Sequence, residues 1–204
     1  MNRPPRRRFA PSRASQPGLR GTASHARSGD PLPAAEREQD PFQSAVDAPR
    51  DPLAPHPPVI RGMRESDLDE VVAIDALSRL TPWSRRSFLE ELKNPLSYCF
   101  TLKRRNDPSD HTIGFLCFRI VGEESEVLAL AVHPQHRRLG LGRQLMGFYI
   151  EFCSRRKVQV CYLETNASNQ AAIDLYRSFS YRVIGVRPKY YREKEDALLM
   201  ARRA

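Results

Sequence analysis

Three features of this 204-residue chain could do chemistry together. The first is the loop Arg137-Arg138-Leu139-Gly140-Leu141-Gly142, between the apolar run from Val127 to Val132 and an amphipathic stretch. At a strand-to-helix turn several backbone N–H groups have no intrahelical partner, glycines let a ligand approach the backbone closely, and the helix dipole adds partial positive charge. With Arg137, Arg138 and Arg143 around it, such a loop reads as a pyrophosphate cradle. A tight turn that only joins strand to helix is the competing reading. The second feature is Glu164, at the end of the apolar run from Val158. Burial there would raise a carboxylate's pKa toward neutrality, as a general base needs; an acid paired with an arginine is the plainer alternative. The third is Tyr176, twelve residues on. A phenol with a reference pKa of about 10 stays neutral until a strong base leaves beside it, then gives up its proton. A core tyrosine on an amphipathic helix is the alternative there.

Secondary structure must bring these residues together. Val59 to Met63 reads as a short strand. Ser66 and Asp69 then form an S-x-x-D variant of the capping box before a helix carrying Leu68, Val71, Val72, Ile74 and Leu77. Pro82-Trp83-Ser84 opens a second helix with Phe88, Leu89 and Leu92 on its apolar side. Strands follow at 98–103 and 112–121, separated by a turn over Asn106 to Asp110. The second is apolar on both faces, as a central strand covered by helices should be. Glu123 to Val132 returns antiparallel after Gly122 and stops at Pro134, which has no ladder hydrogen to donate. From Gly142 a core-facing stripe of Leu145, Phe148 or Tyr149, and Phe152 marks a helix. A strand over 158–164, a helix over 169–179 and strands over 181–186 and 196–200 complete the order. Arg202 and Arg203 read as a solvated terminus.

Length allows one well-cored domain plus a tail. Residues 1–58 hold 12 of the 17 prolines and only two aromatics, Phe9 and Phe42, too little apolar surface to offset the entropy of ordering. They are expected to be disordered, with the folded domain at 59–204. Seven arginines and no acid in the first 27 residues leave three readings: a solvated tail, an arm touching RNA or the ribosome, or an organelle transit peptide. The formal charge of +9 suits an anionic cofactor or a nucleic-acid neighbourhood without choosing between them. Cys99, Cys117, Cys153 and Cys161 lack C-x-x-C spacing and lie in apolar runs, so they read as reduced core residues, with no metal site indicated. No apolar run approaches the roughly 18 residues of a membrane span. A cytoplasmic protein is the default, an organellar one the alternative if the arginine-rich start is a transit peptide.

The motif R-R-x-G-x-G after a strand ending A-V-x-P resembles the acyl-CoA loop of the GNAT superfamily of N-acetyltransferases. Within it the chain is similar to the RimI-type ribosomal-protein alanine N-acetyltransferases over about residues 59 to 201. Pro82-Trp83-Ser84, the run L-E-x-x-A-S-N-x-x-A-I-x-L-Y from Leu163 to Tyr176, and the pair Tyr190-Tyr191 carry the rest of the resemblance. It implies an α/β fold with a mixed, mostly antiparallel sheet of about seven strands, splayed at the acetyl-CoA site and covered by helices on both faces. It also implies that Leu130, Ala131 and Val132 offer backbone groups to the pantetheine arm from a bulged strand. The loop from Arg137 to Arg143 would take the pyrophosphate and Asn169 would lie along the cofactor. Glu164 becomes the general base and Tyr176 the general acid of direct transfer from acetyl-CoA. Trp83, Tyr190 and Tyr191 line the acceptor groove, although Trp83 also reads as a helix anchor, Asn169 as a helix cap and the tyrosine pair as exposed loop aromatics. The implied acceptor is the N-terminal alanine of a small-subunit ribosomal protein. A lysine side chain or small amine as acceptor, and a non-catalytic acyl-CoA-binding ribosomal module, are the alternatives.

Two departures stand out. Where the family reads E-V-R this chain has Glu164-Thr165-Asn166, which puts acceptor selectivity in question. Where it reads L-Y-x-x-x-G-F, Ser180 replaces the glycine expected in left-handed conformation at a helix end.

Overall fold

A computed structural model describes residues 58–104, 111–191 and 194–204. The expected disordered tail, Pro58 apart, and the expected turn over 106–110 lie outside these. Chain order is β1 (Val59–Gly62), α1 (Leu68–Ala76), α2 (Arg85–Lys93), β2 (Ser97–Lys103), β3 (Thr112–Val121), β4 (Glu124–Val132), α3 (Leu141–Arg155), β5 (Val160–Asn166), α4 (Gln170–Ser178), β6 (Arg182–Tyr191) and β7 (Glu195–Arg203). The seven strands form one sheet in the order β1-β2-β3-β4-β5-β7-β6. Only β4 and β5 run parallel; every other neighbouring pair is antiparallel.

Strand alternation divides the core in two. Leu116 and Phe118 of β3 pack with Leu145, Tyr149 and Phe152 of α3, whereas Phe115 and Cys117 pack with Leu68, Val71 and Ile74 of α1 and Phe88 of α2. Helices therefore cover both faces, as the apolar sequence of β3 requires. The four cysteines are free, three buried and Cys99 half-buried. Among the described residues no helix is long and apolar enough to cross a membrane.

The parting of β4 from β5 creates the site. They pair only from Glu124↔Val160 to Val127↔Leu163. On its other edge β4 pairs with β3 as Cys117↔Ala129 and then Phe118↔Val127, leaving Leu128 as an extra, bulged residue. The bulge and the parting fall at the same place, so from Leu128 onward β4 has β3 on one side and no strand on the other.

Three expectations need correction. The carboxylate that caps the entry to α1 is Asp67 rather than Asp69. Asp67 accepts the Arg64 N–H at 2.7 Å and pairs with buried Lys103 at 2.8 Å, burial that Asp69 on the exposed side does not have. β6 does not stop at Val186 but continues to Tyr191, past Pro188, in an irregular ladder with β7. It is an edge strand, where a missing N–H is tolerated. Arg202 and Arg203 are not a free terminus, because Cys161 and Val160 of β5 give them ladder partners.

Candidate active site

A cavity of about 840 Å³ opens where β4 leaves β5. Its floor is β4 from Val127 to Val132, unpartnered on that edge from Leu128 onward, and it includes all three backbone positions expected to meet a pantetheine arm. One end is the loop before α3. There Arg138 has φ 65° and Gly140 φ 78°, so two left-handed residues turn the main chain into the first turn of the helix. A Cβ on Gly142 would lie 3.3 Å from the Leu175 side chain of α4, a tight contact that the leucine would have to yield to by a few tenths of an ångström. Gly140, Leu141, Gly142, Arg138 and Arg143 all line the cavity, whereas Leu139 is exposed and points away from it. Arg137 lines it too, but its side chain also has a structural task. Its Nε donates to the Val132 carbonyl at 3.0 Å and its Nη2 to Ser78 Oγ at 2.9 Å, joining the loop to the segment after α1. These residues fit an acyl-CoA pyrophosphate: convergent backbone N–H groups, a helix N-terminus and two further arginines.

Glu164 and Tyr176 line the same cavity. Glu164 follows the last residue of β5 that pairs with β4, so its side chain stands at the mouth of the parting, 14% exposed. Burial raises its pKa above the ordinary carboxylate range; the Arg187 guanidinium and a hydrogen bond from the Tyr190 hydroxyl oppose that rise. Arg187 Nη1 lies 2.9 Å from Glu164 Oε1, an ion pair reached across β7 from the edge strand β6. Tyr176 of α4 is buried, which pushes its phenol up to about 12, with Arg79 pulling in the opposite direction. A phenol so placed is neutral and protonated throughout the physiological range.

Asn169 both caps α4, accepting the Ala172 N–H at 3.2 Å, and faces the cavity. Tyr191 lines the cavity; Tyr190 does not, but packs edge-on against it at 5.1 Å and reaches Glu164. Lys189, immediately before this pair, is held at φ 54° while its N–H donates to Asp196 Oδ1 at 2.8 Å. Trp83 lies off the cavity, with its ring 5.1 Å from Phe88 and beneath the Arg79 guanidinium. Its anchoring role is therefore visible, and only its neighbour Arg79 reaches the cavity wall. Asn166, where an arginine was expected, accepts from Ser168 N at 2.7 Å and donates to Glu195, fixing the turn between β5 and α4. A guanidinium still meets the carboxylate, supplied by Arg187 instead. Neither Arg187 nor Arg79 carried a motif, and only the folded arrangement brings them to the site.

The sequence model of the acetyltransferase (GNAT) family matches residues 68–181, more than half of the chain. The chain belongs to that family. It is an acyltransferase, with the RimI-type enzymes among its relatives. The [ribosomal protein bS18]-alanine N-acetyltransferases of Escherichia coli and Salmonella typhimurium are 30% and 33% identical to this GNAT. The alignments cover 70% and 67% of this chain, and 95% and 90% of theirs. The crystal structure of the Escherichia coli enzyme superposes with a TM-score of 0.64, covering 71% of this chain and 92% of that one. Arabidopsis thaliana NAA60, solved in complex with acetyl-CoA, shares the fold at a TM-score of 0.66 and 20% identity, over 72% of this chain and 98% of its own.

Proposed function

We propose that this enzyme transfers the acetyl group of acetyl-CoA to a protein N terminus, with the N-terminal alanine of a small-subunit ribosomal protein as the favoured acceptor. The observation that carries this reading is the juxtaposition, in one cavity, of a carboxylate with a raised pKa and a buried neutral phenol beside a backbone-built pyrophosphate cradle. Arg138, Arg143 and the backbone of Gly140 to Gly142 hold the donor's phosphates, and the open edge of β4 holds its arm. Glu164 takes a proton from the acceptor ammonium. An N-terminal amine has a reference pKa of about 7.7–8.0, so a carboxylate of raised pKa suffices. The freed amine forms the C–N bond at the thioester carbonyl, and a backbone N–H at the Leu128 bulge is the donor suited to the oxyanion that develops. As the C–S bond breaks, Tyr176 gives its proton to the departing sulfur, and the surplus proton on the new amide nitrogen is passed back to the phenolate, restoring the phenol. Glu164, Tyr176 and Asn169 line this cavity together, and the relatives' own activity supports the choice of acceptor.

The test is transfer from acetyl-CoA to a peptide carrying the N terminus of the organism's candidate ribosomal protein. The control is the same peptide with a blocked N terminus and a free lysine. Acetylation of the free N terminus alone is expected. Acetylation of lysine alone would overturn the acceptor assignment while keeping the chemistry.

A further inference from the structure

We propose that Cys99 and Cys117 are an oxidation site, a thiol pair that peroxides close into a reversible disulfide across β2 and β3. The two residues are register partners on neighbouring antiparallel strands, so their side chains leave the same face of the sheet. The ladder also settles what kind of partners they are. The Ile120 N–H donates to the Leu96 carbonyl at 3.0 Å, and hydrogen-bonded positions recur at every second residue of an antiparallel pair. Cys99 lies three residues on from Leu96, at a position of the other kind. Its carbonyl accordingly turns away from β3 and accepts the Met63 N–H at 2.9 Å, beyond the end of β1. Partners of this kind stand about 4.5 Å apart at Cα, within the range of about 4.4–6.8 Å that a disulfide spans. The two thiols share a hydrogen bond.

The sulfurs differ in their surroundings, and the difference orders the steps. Cys117 has no exposed surface. Burial pushes its thiol well above the ordinary cysteine range, and Cys99, Glu91 and Asp75 act in the same direction. Cys99 is half-buried, at the margin of the cluster that β3 forms with α1 and α2. A peroxide therefore meets Cys99 first. Cys99, as thiolate, attacks one peroxide oxygen; the O–O bond breaks and hydroxide leaves, taking up the thiol's proton as water, so that a sulfenic acid remains. The Cys117 sulfur then attacks the Cys99 sulfur. The S–S bond forms, the S–O bond breaks, and the Cys117 proton leaves with the hydroxide as a second water. This step is internal, so Cys117 needs no access from solvent. With its Cα spacing at the short end of the range, the bond is strained and open to reduction by thiols. Cys153 and Cys161 also share a hydrogen bond, but both are buried and neither offers the first sulfur.

Oxidation reaches the cavity through the sheet. On its other side Cys117 is paired with Ala129, next to the Leu128 bulge where β4 parts from β5. A bond that draws Cys117 toward β2 shifts that bulge and slows acyl transfer. This consequence rests on the reading of the cavity as the transfer site; the cross-link itself does not.

The experiment treats the full chain with hydrogen peroxide, removes the excess with catalase, and counts thiols after denaturation. Titratable thiols should fall from four to two per chain, with the mass lower by two hydrogens and a peptide map joining Cys99 to Cys117. Dithiothreitol should restore all four. Cys99→Ser should keep its remaining thiols under the same treatment, whereas Cys161→Ser should still form the cross-link. A bond between Cys153 and Cys161, or a Cys99 oxidised further with no cross-link, would overturn the assignment. In Cys161→Ser, kcat for the N-terminal peptide should fall on oxidation and return with dithiothreitol; in Cys99→Ser it should stay constant. A cross-link with unchanged kcat would overturn the connection to the bulge. No transfer by the reduced enzyme would overturn the acceptor instead, with the thiol count still deciding the pair.

Discussion

The two ends of the cavity are made of different material. Main-chain atoms make the loop end: left-handed turns at Arg138 and Gly140, the N-terminus of α3, and the unpaired edge of β4. Side chains make the transfer end, and they come from widely separated segments: Arg79 after α1, Glu164 on β5, Tyr176 on α4, and Arg187, Tyr190 and Tyr191 on β6. A main-chain site depends on conformation, whereas a side-chain site depends on single atoms. Substitutions at the two ends should therefore fail in different measurements.

The largest effect is expected from Glu164→Gln. Turnover should drop by roughly 10²–10⁴-fold, the usual range for a lost acid–base group, while acetyl-CoA binding by calorimetry stays within about twofold. Equal loss of both would make Glu164 a structural residue and erase the division between the ends. Gly140→Val attacks the other end. A β-branched side chain held at φ 78° costs on the order of 1–2 kcal/mol, so acetyl-CoA should bind about tenfold more weakly, with turnover at saturation little changed. Unaltered binding would show that the loop conformation is not what holds the donor.

A smaller effect tests how the base is tuned. Burial raises the pKa of Glu164, and Arg187 is the leading influence in the opposite direction. Arg187→Met removes a cation that favours the charged form, so the pKa rises further. The base works deprotonated, so the acid limb of kcat/KM should move to higher pH. A limb that stays put or moves down would dissociate Arg187 from the base. The smallest effect lies outside the cavity. Ser180 has φ 65° at the end of α4, where its N–H donates to the Arg177 carbonyl at 2.9 Å and the Tyr181 N–H donates to the Tyr176 carbonyl at 3.1 Å. This is the paired closure in which glycine is preferred, so Ser180→Gly should stabilise by about 1 kcal/mol and raise the melting temperature by a few degrees. An unchanged or lower melting temperature would count against strain at that turn.

The same contrast explains what could be read in advance. The loop from Arg137 to Gly142 is contiguous, because a main-chain cradle must be written as consecutive residues at a strand–helix junction. β3 is found at its expected limits, a run apolar on both faces that suits a central strand. Glu164 and Tyr176 were legible through their common motif. Their partners were not. Arg187 meets Glu164 only because β7 inserts between β5 and β6, and neither strand order nor register is recorded in local pattern. Asp67 and Asp69 differ by two positions on one turn, and the Arg64 N–H and the buried amine of Lys103 distinguish them. The missing arginine at position 166 looked like a change in selectivity. In the fold, Asn166 fastens a turn, and a guanidinium reaches the carboxylate from the edge strand β6, across β7.

The short parallel ladder between β4 and β5 has a consequence for local opening. Strands β5, β7 and β6 are joined to the rest of the sheet through four register pairs, whereas β3 and β4 share eight and β5 and β7 share seven. Separation is therefore easier along this seam than along either of the two ladders that flank it. Amide hydrogens of Val160 to Leu163 that face β4 should exchange faster than those facing β7. A donor lodged in the parting would bridge the two limbs and slow that exchange, so occupancy of the cavity would be readable as protection in the sheet itself.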